Sequence, residues 1–287
     1  MANVLVLGSN GMLGNMVARV LRESGHSVFT TDRDGSADNI RFVVGLDPVS
    51  DVLKKVPDIS FVVNAIGIIK PRINESSAES RRTAINVNGM FPYELADAAE
   101  HARAHVIQIA TDCVYSGATG NYTESHLHDP TDVYGKSKSL GEVPSTSVLH
   151  LRASIIGPEI GRQTSLWEWV RSQPENANIN GFTNHRWNGV TTYHFGRVCA
   201  GIIEHEVRES GVRHLIPADI VTKASLVRDI AKASQRNDIV INEVEAKDEI
   251  DRTLSTDDAH FSSNLWRYAG YDSAPSVSQM VHETPLA

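Results

Sequence analysis

The stretch Asp129–Glu142, "DPTDVYGKSKSLGE", places a phenol and an ammonium four residues apart, at Tyr134 and Lys138. Residues at i and i+4 stand one above the other on a single helix face, so the two groups share a neighbourhood. Of the seven tyrosines only Tyr134 has lysine at i+4; Tyr193, with Arg197, comes nearest. A hydroxyl, Thr111 in "IATDC", precedes Tyr134 by 23 residues. Together these groups suit carbonyl reduction. When hydride reaches a ketone carbon, the oxygen becomes an alkoxide and needs a proton. A free phenol, with a pKa of about 10, matches neutral pH poorly. The Lys138 ammonium would favour the phenolate and lower that value. Thr111 would hydrogen-bond the carbonyl oxygen and polarise it as charge develops. Each residue also has a plain structural use, as an exposed pair on a surface helix or a strand-end threonine bonding local backbone.

The chemistry needs a hydride donor, and the first strand–helix junction is built to hold one. "LVLGSNGMLG" spaces Gly8, Gly11 and Gly14 as GxxGxxG between the apolar run Val4–Leu7 and the helical "MVARVLRESG". Glycine permits the tight turn, the approach of backbone N–H groups to a pyrophosphate, and close packing of helix on strand. The helix N-terminus adds partial positive charge. Asp32 closes the second strand 18 residues after Gly14, which is the context a dinucleotide fingerprint requires. A carboxylate there would accept from a ribose 2′-hydroxyl, favouring NAD; Arg33 beside it would accept a 2′-phosphate, favouring NADP. The choice stays open. An oxidised nicotinamide nearby would itself favour the Tyr134 phenolate.

The elements that must position these groups read as α/β. "HSVFTTD", "DISFVVNAIG", "AHVIQIATD" and "SVLHLRASIIG" are strands of continuous apolar character, separated by helical segments such as "NVNGMFPYELADAAEHA". That pattern belongs to a parallel sheet covered on both faces, and right-handed crossovers make it doubly wound and Rossmann-type. Residues 1–157 form the expected NAD(P)-binding domain. Residues 158–287, with their Trp, Asn and Gly, form mainly a small C-terminal substrate-binding lobe, interleaved with the first domain through a helix near 191–208.

The chain has 287 residues, 41% hydrophobic and 22% charged, with net charge −8 and no basic run, which excludes nucleic acid as the expected partner. No apolar stretch approaches the roughly 18 residues of a membrane span. The opening "MANVLVLG" lacks the basic segment of a signal peptide, and the two cysteines, Cys113 and Cys199, fit a reducing compartment. A cytoplasmic protein is expected, and a homodimer is compatible with the chain. His126 and His128 in "ESHLHD" precede a proline turn without an evident third ligand, so no metal is expected.

GxxGxxG, Y-x3-K and an upstream Thr together resemble the extended short-chain dehydrogenase/reductase superfamily. "ATDCVYSG", "YGKSKSLGE", "LRASIIG", "NAIGIIK" and "INVNG" are similar to segments of the dTDP-4-dehydrorhamnose reductase family, and "NGVTT" and "IDRTLS" to its substrate lobe. The likeness is dense over residues 1–160 and thinner beyond. It implies NAD(P)H-dependent reduction of a 4-keto sugar nucleotide, with Thr111, Tyr134 and Lys138 catalytic. It implies cofactor contacts from Gly8, Asn10, Gly11, Met12, Leu13, Gly14, Asp32, Arg33, Leu46, Asp47, Ala65, Ile66 and Gly67, besides Tyr134 and Lys138. Two positions depart from the family: Cys113 replaces an aromatic residue, and Ile155 replaces a substrate-pocket tryptophan, which points to a different hexose or stereochemistry.

For the substrate, Lys70 would reach an anionic group and Arg252 a diphosphate, with Arg162 a weaker candidate. Trp187 would stack on a base, as would Trp167 or Trp169, which stand two apart and cannot share a helix face. Two other functions compete with the reductase: an epimerase that retains NAD, and a non-catalytic NAD(P)-binding regulatory subunit. A dehydratase is disfavoured because Thr111 is followed by one Asp and no Glu.

Overall fold

A computed structural model describes residues 1–36, 38–161 and 165–286 of the protein. Its first half runs β1 (Asn3–Leu7), α1 (Met12–Glu23), β2 (Ser27–Asp32), β3 (Ile40–Arg41), α2 (Val49–Leu53), β4 (Ile59–Asn64), α3 (Ala78–Ile85), α4 (Phe91–Ala102), β5 (His105–Ala110), α5 (Val133–Leu140) and β6 (Val148–Arg152). The second half runs β7 (Ile155–Ile156), α6 (Leu166–Arg171), β8 (Asn178–Phe182), β9 (His185–Trp187), β10 (Val190–Thr191), α7 (Thr192–Glu204), β11 (Gly211–His214), β12 (Val221–Thr222), α8 (Lys223–Ala233), β13 (Val240–Val244), β14 (Ile250–Asp251), α9 (Ala259–Tyr268) and α10 (Val277–Glu283).

The main sheet has seven strands in the order β11-β6-β5-β4-β1-β2-β3, and every neighbouring pair is parallel. The chain builds outward from β1 through β2 to β3, then returns to β4 and builds the other way. The direction reverses between β1 and β4, which opens a crevice at the carboxyl ends of those strands. The expected doubly wound Rossmann-type sheet is what the chain forms.

The continuous apolar strands follow from this layering. Val4 and Val6 face α1 and α7, while Leu5 and Leu7 face α2 and α4, and all four side chains are fully buried. Gly196 in α7 sits against Val17 and Val20 of α1, where a Cβ would come within 3.1 Å of Val20. Thus α7 and β11, both from the second half, complete the first layer. The remainder forms small ladders: β7 with β10, β9 with β12 and β14, and β8 with β13. Trp167, Ile179 and Leu226 of this part share one apolar cluster with Val4 and Val6, so the two parts have a continuous core. Both cysteines are free. Among the described residues no helix is long and apolar enough to cross a membrane.

Candidate active site

The turn after β1 needs glycine at two positions. Gly8 has φ +81°, and a Cβ on Gly14 would lie 2.3 Å from the Gly8 carbonyl oxygen. The Gly11 N–H closes the turn on that carbonyl at 3.0 Å. Gly11 then caps α1, whose first turn has no side-chain cap and no acidic residue. Its backbone N–H groups are left for an anion.

Two cavities of about 420 Å³ each meet over this turn. One reaches from Gly8 and Asn10 to Asp32, Arg33 and Phe42–Val44; the other reaches from Met12 and Leu13 to Thr111, Tyr134 and Lys138. Gly11, Ala65, Ile66, Gly67 and Arg72 line both, so the two adjoin at the switch point. Gly14 lies beneath the floor rather than on it. Asp32 is saturated by its own surroundings. Its oxygens accept from the backbone N–H groups of Asp34, Gly35 and Ser36, the Ser36 hydroxyl, and the Asn39 and Asn10 amides. These donors, the Ser36 hydroxyl foremost, hold its carboxyl well below the usual carboxylate range. Arg33 beside it is exposed.

Helix α5 is positioned by its N-cap and by two close backbone approaches. Asp132 caps it, accepting the Gly135 N–H at 2.8 Å, and Lys70 holds that carboxylate at 2.8 Å. A Cβ on Gly135 would fall 2.2 Å from the Cys113 carbonyl, and one on Gly141 would fall 2.0 Å from the Asn88 carbonyl. Asn88 lies in a π-turn, Asn86–Met90, between α3 and α4. Its amide bonds both backbone groups of Ile68 and donates to the Ser137 hydroxyl at 3.0 Å. This ties the Ala65–Gly67 segment to α5, and π-turns recur at functional sites.

Thr111, Tyr134 and Lys138 therefore line one cavity. Thr111 accepts the Cys113 N–H and donates to Asp112, both at 3.2 Å. Lys138 is buried, and its Nζ donates to the Ile109 carbonyl at 2.7 Å. Burial lowers its pKa to about 8, with Glu142 opposing. The Tyr134 phenol shifts the other way from the sequence expectation. Burial pushes its pKa up, the Cys113 and Asp112 groups add to this, and only the Thr111 hydroxyl opposes. Desolvation disfavours the phenolate, and the Lys138 ammonium is committed to a backbone carbonyl. Among the chain's own groups the phenol is thus held as a proton donor.

Other candidates fall on and off the cavity. Ile155 and Trp187 line it, and the Trp187 indole donates to the Ser154 hydroxyl at 2.7 Å. Lys70 is on the α5 cap instead. Arg252 donates through Nε to the Tyr115 carbonyl at 2.9 Å, and its charge reaches Asp112 and Cys113 from behind the wall. Leu46 is exposed, and Asp47 accepts from Arg41 and the Val43 N–H in a closed turn; neither lines the groove, where Phe42–Val44 stand. Trp167 is fully buried in the core and Trp169 is exposed. His126 bonds Thr123, and His128 bonds Ser139 and Arg152. Arg162 lies outside the described residues.

The sequence did not single out Arg72, Asp112, Ser154 or Lys223 as site residues, yet all line the cavity. Arg72 carries a weak signal, as the second cation of "KPR" after "NAIGII". Lys223 carries none, since it opens a helix far downstream of every motif. Burial raises the Asp112 pKa and pushes the Cys113 thiol up to about 12, which fits a thiol that fills space.

Fold and groove define a Rossmann-type α/β protein with a small lobe walling the carboxyl edge of its sheet. The family model of the RmlD substrate binding domain matches residues 1–283, and the chain belongs to that family. A probable low-salt glycan biosynthesis reductase, Agl14 of Haloferax volcanii, is 32% identical over 179 residues, which is 58% of this chain and 59% of that protein. A dTDP-4-dehydrorhamnose reductase of Streptomyces griseus is 32% identical over 146 residues, 50% of this chain and 45% of that protein. The match thus spans about half the length of these curated relatives. A dTDP-4-dehydrorhamnose reductase from Bacillus anthracis, solved with NADP, shares the fold with a TM-score of 0.78 over 98% of both chains at 17% identity.

Proposed function

We propose that the protein is an NAD(P)H-dependent reductase of a 4-keto sugar nucleotide, acting in the cytoplasm. One observation carries the reading: the cavity holding Thr111, Tyr134 and Lys138 shares the wall Gly11, Ala65–Gly67 and Arg72 with the cavity over the glycine turn and Asp32. The family membership and the reductase names of the relatives support it.

The groove fits a nicotinamide dinucleotide. The uncapped first turn of α1 and the glycines at positions 8 and 14 form a cradle that a Cβ would fill. Ala65–Gly67 form its opposite wall. Arg33 stands at the far end, while the Asp32 oxygens are taken by their own loop, which favours a 2′-phosphate, and so NADP, over a bare ribose. When bound, the cofactor supplies hydride to the ketone carbon.

The chain's residues do the rest. Thr111 donates its hydroxyl hydrogen to the ketone oxygen in place of Asp112, stabilising the charge that gathers there. Tyr134, held protonated by burial, delivers its proton to the alkoxide. Lys138, anchored on the Ile109 carbonyl, would hold the nicotinamide ribose with its remaining N–H bonds and stabilise the phenolate that forms. Ile155 and Trp187 close the sugar side.

The test is NADPH and NADH oxidation by the purified protein against dTDP-, UDP- and GDP-4-keto-6-deoxy hexoses. The reading expects one cofactor oxidised per sugar reduced, with NADPH preferred. Conversion of the sugar without net oxidation would make the protein an epimerase, and cofactor binding with no turnover would make it a regulatory subunit.

A further inference from the structure

We propose that Lys223 is the residue that selects the sugar: its ammonium and the Asp112 carboxylate hold one hydroxyl of the hexose ring between them. This rests on the nucleotide-sugar reading above and extends it to a residue that no motif marks.

Lys223 lines the same cavity as Thr111 and Tyr134. It makes no hydrogen bond or ion pair with any described residue. Its Nζ stands 5.4 Å from the ring centroid of Trp187. Desolvation lowers its pKa, and the neighbouring Asp112 and Cys113 groups only partly offset that. The indole face offsets part of the cost of hiding the ammonium, but it accepts none of the three N–H bonds. The lysine's place in the chain adds to the cost. Lys223 is the first residue of α8, after the Thr222 cap, at the positive end of the helix, where a cation is disfavoured. The indole contact and the nearby Asp112 account for the charge but leave the N–H bonds of Lys223 without an acceptor, which a ligand in the cavity supplies.

The lysine is also held in place. Val221 pairs with Trp187 and Thr222 with Arg186 in the β9–β12 ladder, which fixes the start of α8 over the indole. The indole is itself pinned to Ser154. Arg252, the other cation acting on Asp112, is anchored through its Nε to Tyr115, outside the cavity.

Charge decides what the pair takes. Asp112 and Lys223 are an acid and a base that burial pushes in opposite directions, each toward its neutral form, so the pair adds no net charge to the space between them whether ionised or neutral. A carboxylate entering there would meet Lys223 but would also stand against Asp112. A hydroxyl suits both at once, since it accepts from the ammonium and donates to the carboxylate.

Calorimetric binding to the whole protein with NADP⁺ present tests this, using dTDP, dTDP-rhamnose, UDP, UDP-glucose and UDP-glucuronic acid. In the wild type the hexose should add affinity over the bare nucleotide diphosphate. Lys223→Met should remove roughly tenfold or more of that gain while leaving dTDP and UDP binding unchanged. Lys223→Arg should restore part of it. Equal loss for nucleotide and conjugate, or no loss for either, would overturn the assignment. A preference for glucuronate over glucose that disappears in Lys223→Met would overturn the hydroxyl in favour of a carboxylate. A folded wild type that binds none of the probes would sink the nucleotide-sugar reading and this inference with it. Tight binding and turnover that Lys223→Met leaves untouched would sink the inference alone.

Discussion

The ammonium of Lys138 is bound to the backbone of Ile109, 2.7 Å from its carbonyl oxygen, and not to the Tyr134 phenol four residues before it. The helix thus delivers two groups to one cavity with separate duties. The phenol is kept protonated by burial, and the lysine is fixed at the end of β5 on the wall of the cavity.

Replacing Tyr134 with Phe removes only the proton donor. The phenol matters when negative charge has formed on the substrate oxygen, so the loss belongs in kcat. Steady-state kinetics should show kcat lower by roughly 10²–10⁴-fold. The cofactor dissociation constant, read by fluorescence titration, should stay within about twofold.

The lysine predicts a pH limb. Its pKa is lowered to about 8, so the ammonium is charged below that pH and neutral above it. Activity that needs the charge is present below about 8 and lost as pH rises through it. A kcat/KM profile of the free enzyme should fall on its alkaline side near that value. Lys138→Met should be low throughout, with the limb missing.

Gly135 should be intolerant of a single added carbon. A Cβ there would sit 2.2 Å from the Cys113 carbonyl, a fixed backbone atom. Gly135→Ala must push α5 away from the Thr111–Cys113 turn. The strain is on the order of 1–3 kcal/mol, visible as a lower Tm. Because the displaced helix carries Tyr134, kcat should fall by more than the loss of folded protein explains.

His194 is fully buried between Thr191 and Glu283, and its pKa is lowered to about 4 by desolvation. In the unfolded chain it titrates at 6.5. The unfolded state therefore binds the extra proton first as pH falls. The stability from keeping this ring neutral is present above about 6.5 and is lost progressively down to about 4, on the order of 3 kcal/mol in all. Chemical denaturation across that window should show the slope, and His194→Gln should make it shallower while lowering stability at neutral pH.

What the sequence disclosed was local. GxxGxxG marks the turn because Gly8 and Gly14 meet each other within it, and Y-x3-K marks the face because one helix turn separates the two residues. The continuous apolar strands disclosed a two-faced parallel sheet. Longer-range matters stayed hidden. Lys70 looked free for a substrate because nothing local shows that Asp132, 62 residues on, would take its charge. Leu46 and Asp47 stand off the groove because the 43–47 turn closes on itself. The Tyr134 pKa depended on desolvation, which spacing cannot report. Lys223 reaches the cavity only through the pairing of β9 with β12.

The account's central claim is that hydride passes to a sugar ketone in the cavity where Tyr134 stands. It is tested most directly with NADPH or NADH carrying deuterium at nicotinamide C4 on the transferred face, followed by NMR of the sugar product. The account predicts one deuterium at C4 of the hexose for each cofactor oxidised. Product without deuterium at that carbon, or label retained on the cofactor after the sugar has changed, would contradict it.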